Sequence, residues 1–222
     1  MLGLKLNRIV IDAGHGGKDV GTIGATGLYE KDVVLDLALR LGAMLEKKLG
    51  AEVVFTRSDD TFIQLEDRPE IANQAHADLF ISVHANASTV ESVAGVETYF
   101  LSMQASNRSA EELAARENST AERSIADLPE MVKKIAMNDK QKESQELASQ
   151  VHASIVAGVH ANSKARNRGV RRAPFIVLIG ARMPAVLVEV GFLSNPAEEA
   201  KMRTPAHRQK VAESIFTGVR KY

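Results

Sequence analysis

The sequence predicts an α/β domain in which a central, largely parallel or mixed sheet is flanked by helices. Two observations predict it. Short apolar runs of strand length alternate with segments whose apolar residues recur at helical spacing. The first of these runs, Ile9 to Asp12, stops in the glycine-rich stretch Ala13-Gly14-His15-Gly16-Gly17, as a buried strand does where it leaves a sheet. At 222 residues the chain has the length of one such domain and can bury a substantial core.

The remaining elements follow in order. Val34, Leu37, Leu41, Met44 and Leu45 define an amphipathic helix over 31–48. Residues 52–56 (EVVFT) read as a strand and 65–75 as a short helix. A strand at 78–83 (DLFISV) ends at His84-Ala85-Asn86, and 95–101 (GVETYFL) alternates as a strand with one wetter face. Two more apolar strands are expected at 175–178 and 185–190. Thr204-Pro205 then caps a last helix near 206–220, with Pro at its first position.

Between 103 and 165 the rhythm breaks. Residues 109–117 and 129–163 read as helical, the stretch is rich in Ser, Glu, Lys, Ala and Asn, and no strand is predicted. We read it as a helical insertion within a single domain spanning 1–222. The basic segment that follows contains Lys164, Arg166, Arg168, Arg171 and Arg172. It is either a solvated linker into the next strand or a patch for an anionic polymer.

Composition narrows the function. Lysine plus arginine equals aspartate plus glutamate at 28 each, so nothing draws the chain as a whole toward nucleic acid or an anionic membrane. Aromatics make up 5% with no Trp, which leaves no obvious stacking platform for bases. No nucleic-acid partner is expected. The absence of cysteine removes thiolate metal sites, disulfides and cysteine nucleophiles together, so any metal must use His, Asp or Glu. No apolar run approaches the roughly 20 residues needed to span a bilayer, and no transmembrane segment is expected. No charged-then-apolar leader precedes the first strand, as in an exported protein read after leader removal.

Three metal-competent residues, His15, Glu30 and His84, lie at strand ends or just beyond them, and a fourth acid, Glu189, sits inside AVLVEVGF. The carboxyl ends of strands form the ligand-binding edge of α/β sheets, so the four are expected to converge. Each of the first three has a plain structural alternative: a hydrogen-bonded histidine, or for Glu30 an acid stabilised at a helix N-terminus. Glu189 is harder to explain away. A carboxylate among Val and Leu is costly to bury unless it has a partner, a raised pKa or a water to act upon. Two histidines and one carboxylate, with a second carboxylate nearby, match a catalytic zinc site of three protein ligands and one open position. His76, His152, His160 and His207 are assigned to surface or packing roles, His152 and His160 being too far apart on one helix to share an ion. HExxH and phosphate-binding loops are absent.

The stretches IVIDAGHGGKDVGTIGATGLYEKDVVLDLALRL, TRSDDTFIQLEDRPEIANQAHADLFISVHANAS and GVRRAPFIVLIGARMPAVLVEVGFLSNPAEEAKM together resemble the catalytic domain of zinc-dependent N-acetylmuramoyl-L-alanine amidases of the type 3 class. The resemblance covers nearly the whole chain. It implies a sheet of about six strands between helices, zinc held by His15, Glu30 and His84, and Glu189 as catalytic acid/base. It also implies the reaction: a zinc-activated water cleaves the amide between N-acetylmuramic acid and L-alanine in peptidoglycan.

The long insertion is similar to that of the Gram-negative cell-division amidases. That similarity implies a periplasmic protein, with a helix held over the active site until an activator protein displaces it. Within SAEELAARENSTAERS, Glu117 is the candidate for the carboxylate that takes the open zinc position. The alternative is that it is one of several solvated glutamates, with Glu111, Glu112 and Glu122. Two other functions remain to be distinguished: a zinc carboxypeptidase-like metallopeptidase, and a non-catalytic cell-wall or activator-binding module with a structural metal.

Overall fold

The computed structural model describes residues 6–122, 124–127, 140–159 and 166–222. Among them six strands form one sheet: β1 (Arg8–Ala13), β2 (Glu52–Phe55), β3 (Leu79–Asn86), β4 (Val96–Leu101), β5 (Asn167–Ala173) and β6 (Ala185–Phe192). Their order across the sheet is β2-β1-β3-β6-β4-β5. The β2, β1, β3 and β6 strands run parallel, while β4 is antiparallel to β6 and parallel to β5. β3 and β6 are buried along their whole length, because helices cover both faces and water reaches neither side.

Strand periodicity sorts the side chains between two cores. Ile9, Ile11 and Ala13 point into the larger one, beneath α1 (Glu30–Leu49), α4 (Gln141–Val159) and α6 (Pro205–Lys221). Val10, Phe80, Tyr99 and Leu187 point into the smaller one, beneath α2 (Asp67–Gln74), α3 (Arg108–Glu117) and a 3-10 turn at Ile176–Leu178. The same alternation places Asp12, His84, Glu97 and Glu189 on this second face. A short helix, α5 (Pro196–Met202), links β6 to α6.

Helix ends follow the sequence. Gly50, left-handed at φ 65, stops α1 as Gly50 and Ala51 donate back to Glu46 O and Leu45 O. Thr204 caps α6 by accepting from His207 N, with Pro205 at the first helical position. Asn107 caps α3 by accepting from Ala110 N.

Two expectations are corrected. Residues 175–178 are not a strand: Phe175 is extended and Ile176–Leu178 form a buried 3-10 turn. A short apolar run marks burial, and its period cannot separate a strand from a buried turn. The strand is instead Asn167–Ala173, within the basic segment. The segment is therefore not a solvated linker: Arg168 and Arg171 pair with buried Glu97 and Arg166 pairs with buried Glu198. Lys164 and His160 lie outside the described residues, as do 129–139 and 160–163 of the helix expected at 129–163. His152 is a packing residue, buried between Thr98 Oγ1 at 3.2 Å and Asn167 Oδ1 at 2.7 Å.

Candidate metal centre

The loop leaving β1 is held from below. Asp12, fully buried, accepts hydrogen bonds from Thr56 Oγ1 (2.6 Å), Ser82 Oγ (2.6 Å) and Arg68 Nη1 (2.8 Å). Arg68 also donates to Ala13 O and His15 O, and Arg57 donates to Ala13 O and Gly14 O. These bonds fix a turn in which His15 takes φ 59, a left-handed conformation costing a side-chain-bearing residue about 1–2 kcal/mol. Gly14 is required by contact: a Cβ there would lie 2.4 Å from the His84 ring.

Four side chains meet above this turn. Glu30, the first residue of α1, directs Oε1 to 3.1 Å from His15 Nε2 and 3.3 Å from His84 Nδ1. Ala85 N and Thr22 N donate to its two oxygens and fix it. Glu117, the last residue of α3, places Oε2 at 3.4 Å and 3.1 Å from the same two nitrogens. The imidazoles stand edge to face, 4.9 Å apart. Asp19 Oδ2 lies 2.9 Å from His15 Nδ1, which leaves Nε2 facing the centre.

The arrangement fits a divalent ion. Ligand atoms about 2 Å from a tetrahedral ion lie about 3.3 Å from one another, which is the spacing found here. His15 Nε2, His84 Nδ1 and Glu117 Oε2 are buried and form no well-directed hydrogen bond within the protein. Burial alone would lower the basicity of both histidines. The carboxylates outweigh it, Glu30 chiefly at His15 and Glu117 chiefly at His84, raising His15 far above its usual value and His84 to about 10. Burial would raise Glu117, yet His84 and His15 hold it at about 2. A field that binds protons this firmly also binds a cation, which displaces them.

Glu189 differs from these four. It pairs in register with His84 on one side and Glu97 on the other, is fully buried, and has no hydrogen bond at either oxygen. Burial, reinforced by the charges of Glu117 and Glu30, pushes its pKa well above the usual carboxylate value against the pull of His84 and Arg116.

The whole chain between residues 9 and 221 matches the family model for N-acetylmuramoyl-L-alanine amidase. The chain belongs to this family. It is 37% identical over 218 residues to the amidase AmiA of Escherichia coli K12, covering 96% of this chain and 75% of that protein. An N-acetylmuramoyl-L-alanine amidase structure from Clostridium difficile 630 superposes with a TM-score of 0.75 at 32% identity, covering 99% of this chain and 97% of the other. The CwlD amidase of Clostridioides difficile, solved in complex with the GerS lipoprotein, gives 0.75 at 25% identity, covering 97% and 98%.

The sequence names the residues that meet in this amidase-family chain, His15, Glu30, His84 and Glu117, and Glu189 beside His84. It passed over Asp12, Arg57 and Arg68, which build the turn, and Asp19, which orients His15. A charged residue following an apolar run, as Asp12 follows Ile9-Val10-Ile11 in RIVIDA, is the available signal. Arg116 was also passed over. It donates to Ala87 O (3.0 Å) and Asn86 Oδ1 (2.8 Å), while Asn118 bonds Pro174 O and Ile176 N, so the end of α3 is tied down on both sides of Glu117. Glu111, Glu112 and Glu122 remain exposed, whereas Glu117 is buried.

Proposed function

We propose that this chain is a peptidoglycan hydrolase that uses zinc to cleave the amide between N-acetylmuramic acid and L-alanine, and that α3 closes its resting site. The observation that carries the reading is the cluster of buried, unsatisfied ligand atoms beside an unpartnered buried Glu189. His15 Nε2, His84 Nδ1 and Glu30 Oε1 would hold the zinc, and Glu117 Oε2, within 3.4 Å of both histidine nitrogens, would compete with water for it. Zinc, when bound, lowers the pKa of water to about 7 and polarises a carbonyl.

The protein's own groups do the rest. Glu189 accepts a proton from the attacking water as the new carbon–oxygen bond forms, then delivers it to the amine nitrogen as the carbon–nitrogen bond breaks. A raised pKa suits both halves of that task, since the group must hold the proton between the two steps. Asp19 fixes the tautomer of His15, and the Arg57–Arg68 clamp holds the turn that carries it.

A module with only a structural metal gives Glu189 no role. A carboxypeptidase-like reading is disfavoured by the family match along the chain. With Glu117 in place the substrate carbonyl has no access, so turnover requires α3 to move. A partner protein is the natural agent; CwlD, solved in complex with a lipoprotein, supports partner control in this family. Because the substrate polymer lies outside the cytoplasmic membrane, we place the protein in the periplasm. Among the described residues no helix is long and apolar enough to cross a membrane.

Digestion of purified peptidoglycan by zinc-loaded protein tests the reading. Peptides with a free N-terminal alanine are expected, with Glu117→Ala raising the basal rate roughly tenfold or more, the effect of removing about 1.4 kcal/mol of closure. No free N-terminal alanine from either protein would sink the amidase reading; an unchanged basal rate would sink the closed state alone.

A further inference from the structure

A cavity of about 480 Å³ lies between α3 and the β3, β5 and β6 ends, beside the metal centre. Asn86, Ser88, Val93, Arg168 and Phe192 line its fixed side, and α3 lines the other with Glu112 and, next to the centre, Arg116. Its two ends differ in chemistry. Near the centre, two residues beyond His84, the acceptors Asn86 Oδ1 and Ala87 O are filled by the Arg116 guanidinium. When α3 leaves, Asn86 Oδ1 keeps the Ala87 N–H (2.7 Å), and Ala87 O is left in need of a new N–H donor.

The far end is cationic and pre-organised. Arg168 donates through Nε to Glu97 Oε1 (2.7 Å), and its guanidinium lies 5.2 Å over the Phe192 ring. Arg171 lies 3.1 Å from the same Glu97 oxygen, while Asn86 Nδ2 and Tyr99 OH donate to the other one. Two guanidiniums thus face one carboxylate whose oxygens are already taken, leaving an excess positive charge. Arg168 Nη1 and Nη2 make no hydrogen bond to a described residue, and the side chain is a quarter exposed. A planar, stacked guanidinium with two free terminal donors is suited to a carboxylate.

We propose that this cavity is the subsite for the peptide on the amine side of the scissile amide, with Arg168 binding a carboxylate of that peptide. In the resting state Arg116 occupies Ala87 O, the place of a peptide N–H donor, so α3 blocks the metal through Glu117 and the peptide subsite through Arg116. The assignment of the amine side rests on the amidase reading, but the cavity can be tested by binding alone.

The test uses zinc-loaded Arg116→Ala/Glu117→Ala protein, which lacks the two α3 side chains that occupy the metal centre and the cavity. Alanyl-glutamate and the same dipeptide with both carboxyls amidated are titrated calorimetrically. The acid is expected to bind about tenfold more tightly, the scale of one partly solvated charge-assisted hydrogen bond. Adding Arg168→Gln should reduce that preference below about twofold with zinc content unchanged. Adding Val93→Trp, which fills the cavity without touching the Glu97 network, should weaken the acid peptide, and it decides the matter if Arg168→Gln does not fold. Equal binding of acid and diamide, no binding of either, or an acid preference that survives the added substitutions overturns the subsite. Peptidoglycan digestion by the same parent reports separately on the amidase reading.

Discussion

Asp12 and Glu189 are both fully buried carboxylates on the same face of the same sheet, and the protein treats them in opposite ways. Asp12 accepts from Thr56, Ser82 and Arg68, and these partners hold its pKa below the usual value although burial alone would raise it. Glu189 has no hydrogen bond at either oxygen, and burial raises it. The first is a charge fully compensated, which fixes the turn carrying His15. The second is a proton acceptor left without a partner two strands away from that turn. A satisfied buried acid marks architecture here, and an unsatisfied one marks chemistry.

Removing a ligand beside Glu189 should have the largest effect. His84→Ala or His15→Ala protein, dialysed against zinc-free buffer, is expected to retain no bound zinc by elemental analysis and to release no peptide. Retention of one zinc per chain would show that the ion is held elsewhere. On the architectural side, Asp12→Ala leaves the Arg68 guanidinium buried and unpaired, a loss of about 3–5 kcal/mol in denaturant unfolding. A loss below about 1 kcal/mol, the value of an exposed pair, would mean that the network is not what holds the turn.

The smallest effect is in pH dependence, where the two acids should act with opposite sign. The folded pKa of Asp12 is depressed, so its stabilisation is present above the unfolded value near 3.9 and is lost as pH falls through the folded value. The folded pKa of Glu189 is raised, so the native state holds more protons than the unfolded one, and stability falls as pH rises from about 4.3 toward the folded value. In metal-free protein, Glu189→Gln should therefore gain stability relative to the parent across that rise. A difference that stays flat with pH would show that Glu189 is ionised when folded.

Much of this comparison was legible in the sequence, and the part that was not has a physical reason. The apolar surroundings of Glu189 and the glycines around His15 point to the site because burial and backbone conformation are local properties. The α1 and α6 boundaries are likewise marked by Gly50, Thr204 and Pro205. The β5 strand was hidden because its charges are compensated by Glu97 and Glu198, which lie far off in sequence and meet it only in the fold. The run at 175–178 misled for the converse reason: its side chains are buried, but it is tied to Asn118 instead of to a neighbouring strand. Glu117 stands among three other glutamates, and only the packing of α3 separates it from them.

The most direct test of the account is Glu189→Gln measured in the Glu117→Ala background, with zinc content and peptide release followed on the same preparation. The account predicts a full complement of zinc, undiminished stability and a rate lower by roughly 10²–10⁴-fold, the range for loss of a general acid–base group. A zinc-loaded variant that releases peptide at close to the parent rate would contradict it.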